Sequence, residues 1–134
     1  MQTFILAGIA LPIMFVLDLI WIGGIAQGFY KQQLGSMLAS NVVWPAALVF
    51  YVIFTLALAY FAIGPAVAEH SFWKAVLLGG FLGLAAYATY DLTNWAVITN
   101  WPPLVSIVDL AWGTFISAVA AGGAYLVATK VLGM

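Results

Sequence analysis

Three of the four acidic residues, Asp18, Asp91 and Asp109, stand inside or at the edge of long apolar runs. On insertion scales a mid-span Asp costs roughly 2.5–3.5 kcal/mol, so such residues face the protein interior or a water-filled cavity and mark function by default. The residues around them repeat. Asp18-Leu19-Ile20-Trp21-Ile22-Gly23 resembles Asp109-Leu110-Ala111-Trp112-Gly113, and Asp91-Leu92-Thr93-Asn94-Trp95 is a looser copy. Residues three apart share a helix face. Trp21 therefore lies beside Asp18 and Trp112 beside Asp109, each offering an indole N–H to a carboxylate. Tyr87 and Asn94 flank Asp91 on its own face, and Asn41, Thr93, Asn100 and Ser106 lie nearby in sequence or on the same side. The candidate polar or ion site is thus Asp18, Asp91, Asp109, Trp21, Trp112, Tyr87 and Asn94.

Three carboxylates held together cannot all ionise cheaply, so some carry protons or a cation sits among them. There is no Arg, and Lys31 is the one basic candidate on that side, able to snorkel toward the group. The cluster has three readings, in decreasing order of weight. Neutral Asp residues hydrogen-bond helices together; a ligand, ion or proton is held; or catalysis is performed. Other chemistries have little to stand on. With no Cys, disulfides, thiolate zinc sites and Cys nucleophiles are excluded. The single His70, beside Glu69 on a short link, reads as a solvated interfacial residue. No nucleophile elbow or phosphate-cradling glycine loop is present, since Gly79 to Gly83 lie inside an apolar span. No metal, no cofactor and no enzymatic activity are expected.

The elements that must position these residues follow from composition. The chain has 134 residues, 66% hydrophobic and only 5% charged, with mean hydropathy +1.17. A soluble domain carries roughly 25% charged residues, so lipid is the natural solvent. Net charge −1 with three scattered Lys argues against nucleic acid as a partner. A helix needs about 20 apolar residues to cross the bilayer. Four runs qualify, at about 3–24, 44–64, 72–95 and 104–130, giving one all-α domain: a bundle of four transmembrane helices. The first run lacks a basic flank and reads as a membrane helix, not a cleaved signal peptide. Between the first two spans, Tyr30, Leu34, Met37 and Leu38 recur at helical spacing. That stretch is a short interfacial helix or an ordinary polar loop. Gly64-Pro65 is expected to stop the second span.

Counting rise at ~1.5 Å per residue puts Asp18 about 22 Å along the first helix and Asp109 about 9 Å from the far end of the fourth, nearly level with each other. Asp91 falls near that same far edge. Trp44, Trp73, Trp95 and Trp101 sit at predicted helix ends as an aromatic belt. The small-residue pairs Gly79/Gly83, Gly24/Gly28 and Ala118/Gly122 are expected to pack helices within the bundle. Lys74 and Lys130 fall on one side and Lys31 on the other, which by the positive-inside rule puts both termini in the cytoplasm.

Tyr90-Asp91-Leu92-Thr93-Asn94 and Val108-Asp109-Leu110-Ala111-Trp112-Gly113-Thr114 resemble the bacterial family catalogued as domain of unknown function twenty-one seventy-seven. Asp18-Leu19-Ile20-Trp21, Phe29-Tyr30 and Trp44-Pro45-Ala46 match its opening pattern. The resemblance runs in order over nearly the whole chain. It implies a small bacterial inner-membrane protein and brings no activity with it. The expected function is an accessory or structural membrane component, working in the lipid bilayer with a membrane-protein partner or as a homo-oligomer. The alternatives are a small ion- or proton-coupled transporter built from an oligomer, and an intramembrane enzyme acting on lipid.

Overall fold

The computed structural model describes residues 1–134 and contains helices and no strand. Four helices are long and apolar enough to span a membrane: α1 (Gln2–Ile25), α3 (Trp44–Ala68), α4 (Phe72–Val97) and α5 (Pro103–Val131). The short α2 (Gln27–Leu34) follows α1 and ends at Gly35, whose φ of +55° turns the chain into a single 3₁₀ turn, Gly35–Met37. A helix therefore forms between the first two spans, and it ends at Leu34, before Met37 and Leu38.

The second span differs more. Helical structure continues through Gly64-Pro65 to Ala68. Proline removes one backbone donor and crowds the carbonyl of the preceding turn. Here the preceding turn is a π turn, Ala59–Ile63, wide enough to admit the ring. Similar π turns end α1 (Trp21–Ile25) and α5 (Val127–Val131). Ser71 caps α4, its hydroxyl accepting from the Lys74 backbone N–H at 3.2 Å. In the same link, partly exposed Lys74 pairs with exposed Glu69. His70 is exposed there in a left-handed conformation, φ +53°.

The tightest packing is between α4 and α5. Gly79 and Gly83 face Gly113, Ser117 and Ala121, residues spaced four apart on one stripe of α5. A Cβ added at Gly79 would stand 2.9 Å from the Ser117 carbonyl, and one at Gly83 would overlap the Ser117 hydroxyl and the Gly113 carbonyl. Close backbone approach supplies the dispersion energy that membrane helices cannot draw from hydrophobic burial. Gly122 packs on Phe72 and Val76, again inside the bundle. The Gly24/Gly28 pair does not: nothing lies within 4 Å of a Cβ at either position. The end of α1 breaks at Ala26, so these two glycines fall on different elements and share no packing face.

The structure is layered along its length. One half holds an apolar core of Leu6, Ala10 and Met14 from α1, Leu58 and Ile63 from α3, and Ile116, Ala120 and Ala124 from α5. Large apolar side chains such as Leu77, Phe81 and Phe115 are exposed, as befits surfaces solvated by lipid. The polar residues gather in the other half. There α3 and α4 diverge. They meet chiefly through Ala59–Ala68 of α3, and Phe54 on Tyr87 is the aromatic contact nearest the diverging end.

Candidate functional site

α1 and α5 run antiparallel, and that direction decides how the repeated Asp-Leu-x-Trp segments meet. Three residues of helix rise about 4.5 Å. Beyond Asp18, Trp21 lies further toward the far end; beyond Asp109, Trp112 lies further toward the core. Each indole is thus level with the other helix's carboxylate. Trp112 Nε1 donates to Asp18 Oδ1 at 2.9 Å. Trp21 Nε1 donates to the Tyr30 hydroxyl at 3.3 Å, and that hydroxyl donates to Asp109 Oδ1 at 2.8 Å. The two indoles stack between these bonds, centroids 4.4 Å apart and planes 6° from parallel. Each Trp therefore serves the opposite helix's Asp, not the neighbour three residues away as the spacing suggested.

Asp18 is buried and fully engaged, since its second oxygen accepts from the Tyr51 hydroxyl of α3. One carboxylate thus ties three spans together. Asp109 is partly exposed and has Tyr30 as its donor. Burial pushes the Tyr30 phenol above its ordinary value near 10, so it keeps its proton and remains the donor.

Asp91 is different. It is 0% exposed, and neither oxygen has a donor. The nearest acidic group acting on it is Asp109 of α5. The Asp91 backbone is secured by a separate chain: Trp101 Nε1 donates to Ser106 Oγ at 2.9 Å, and Ser106 donates to the Asp91 carbonyl at 2.8 Å. Trp101 is accordingly 8% exposed and belongs to the protein interior, not to the aromatic belt. Trp44, Trp73 and Trp95 are exposed at helix ends, where belt residues belong.

Asp18, Asp109, Trp21, Trp112 and Tyr87 line one cavity of ≈ 180 Å³, joined by Tyr30, Tyr90 and Trp101. Tyr87 is held there by close packing of its ring on Gly113. Asn94 is not among the lining residues; it lies beside Tyr90. Lys31 does not reach the acids. It is exposed, in a neighbouring groove of ≈ 480 Å³ between α1, α2 and the start of α3, and forms no ion pair. A third hollow of ≈ 310 Å³, lined by Phe50, Ala86, Tyr87, Tyr90 and Asp109, lies where α3 and α4 diverge. It gives Asp109 a lateral path toward lipid.

Tyr30 and Tyr51, the two phenols that hold the carboxylates, were not singled out from the sequence. The available signal was their polar tips: a Tyr within or beside a span needs a partner for its hydroxyl when buried.

The sequence profile of a family described as "Predicted membrane protein (DUF2177)" matches residues 3–126. No curated protein and no solved structure matches the chain.

Proposed function

This chain belongs to the DUF2177 family of predicted membrane proteins, and we propose that it is a non-catalytic accessory component of the bacterial cytoplasmic membrane. The observation that carries this reading is the Asp18 clamp. Both oxygens of a buried carboxylate are taken up by donors from two other spans, Tyr51 and Trp112. A carboxylate so engaged holds helices in place, with one bond from another span on each oxygen. The clamp and the glycine seam together make a rigid small scaffold, suited to supporting a partner in the same bilayer. Tagged protein extracted in several mild detergents is expected to comigrate with one membrane partner at fixed stoichiometry. Migration only as monomer or homo-oligomer in all of them would remove the reading.

Both termini face the cytoplasm in this proposal, supported by Lys74 and Lys130 on that side against Lys31 on the other. The chain has no Cys, so single cysteines report position cleanly. With a membrane-impermeant maleimide on intact cells, Thr99→Cys is expected to label and Glu69→Cys only after permeabilisation. The reverse pattern would invert the orientation.

A further inference from the structure

The Asp18 clamp leaves part of the same region unexplained. Asp91 is fully buried without a donor and stands behind the cavity wall, while Asp109 lines the open cavity itself. Of the eleven residues lining that cavity, six are Trp or Tyr, two are Asp and none is basic. At ~30 Å³ per water, a volume of ≈ 180 Å³ corresponds to about six waters. Structural cross-linking of helices does not require such a hollow.

The wall chemistry selects the occupant. Ring faces carry negative electrostatic potential and attract cations, most strongly when the site is desolvated. The Asp109 carboxylate in the wall adds charge of the same sign. Small hard metal ions demand several oxygen ligands or their own water shell, whereas this wall offers mostly indoles and phenols. A cation with an apolar surface, weakly hydrated and a few ångströms across, satisfies both parts of the wall at once. We propose that the chamber between the Trp21–Trp112 stack and Asp109 binds a quaternary ammonium group.

Two sources can deliver such a group: a soluble ammonium compound, or the head of an amphiphile dissolved in the bilayer. The hollow lined by Phe50, Tyr87 and Tyr90 reaches Asp109 from the side where α3 and α4 diverge. An amphiphile entering there would keep its tail among the lipid chains.

The test is intrinsic Trp fluorescence of the purified full chain in nanodiscs, titrated at constant ionic strength. Choline is expected to give a saturable change that NaCl does not. Its uncharged isostere 3,3-dimethylbutanol should bind at least tenfold more weakly. Asp109→Asn, which keeps an oxygen for Tyr30 to donate to, should weaken choline at least tenfold. Tyr90→Leu, on the exposed lip of the opening, should weaken it several-fold and guards against misfolding of the first variant. Decyltrimethylammonium below its micellar concentration separates the sources. Binding tenfold tighter than choline assigns the ligand to the bilayer and equal binding assigns it to water; either supports the site. A choline titration indistinguishable from NaCl overturns the proposal. So does equal binding of the uncharged isostere, or wild-type affinity in both variants.

Discussion

Alanine at Gly83 is expected to lower the thermal midpoint of the detergent-solubilised bundle by about 4–10 °C, while alanine at Gly80 leaves it unchanged or raises it slightly. The two glycines are three residues apart on α4, and the substitution is the same. At Gly83 the added Cβ meets the Ser117 hydroxyl and the Gly113 carbonyl too closely to be accommodated, and the carbonyl belongs to backbone that can yield only if the helices separate. At Gly80 the nearest atom is the Ala118 Cβ at 3.5 Å, an ordinary contact. Overpacking costs about 1–3 kcal/mol, which for a chain of this size corresponds to about 4 °C per kcal/mol. Replacing a helical Gly by Ala otherwise gains up to about 1 kcal/mol. Equal midpoints for the two variants would show that the seam does not set the helix separation.

Leucine in place of Asp91 is expected to stabilise the protein, and leucine in place of Asp18 to destabilise it. Both carboxyls are buried; the difference lies in their partners. Asp91 has no donor on either oxygen, and an unsatisfied buried polar group costs about 1–3 kcal/mol. Removing it returns an amount of that order. Asp18 accepts from Tyr51 and Trp112, and its loss strands both donors. Membrane hydrogen bonds average about 0.6 kcal/mol in double-mutant cycles, which sets a lower bound near 1 kcal/mol for two. Stranded buried donors raise it to several. Unfolding midpoints that move in the same direction for both variants would sink the distinction between a satisfied and an unsatisfied buried carboxyl. If Asp91→Leu is both more stable and unable to bind choline, Asp91 is a residue at which stability has been given up for function.

The four spans were legible because continuous apolar runs of about 20 residues have one stable arrangement in lipid. The inward orientation of Asp18, Asp91 and Asp109 was legible for an energetic reason, whereas the level match of Asp18 with Asp109 gives way to a stagger of about three residues that sets each Asp beside the other helix's Trp. What escaped were features that depend on neighbours distant in sequence. Tyr51 sits in an apolar run, where an amphipathic ring reads as core until its hydroxyl finds Asp18 33 residues away. Trp101 sits beside a Pro-Pro turn, where belt tryptophans also sit, and only its bond to Ser106 marks it as interior. Asn94 shares a face with Asp91 by spacing, but at the end of α4 that face has already passed the cavity. Gly64-Pro65 reads as a stop because a π turn leaves no imprint in composition.

The reciprocal pairing of α1 with α5 also restricts how the bundle can move. Two links to α5 flank one ring stack: Asp18 of α1 accepts from Trp112, and Tyr30, just beyond α1, donates to Asp109. Sliding α1 by a single residue, about 1.5 Å, would strain both bonds and shear the stacked rings. A scissor rotation about the stack leaves the bond lengths nearly unchanged. The pair therefore resists piston motion of one helix along the other more than it resists rotation of one helix across the other.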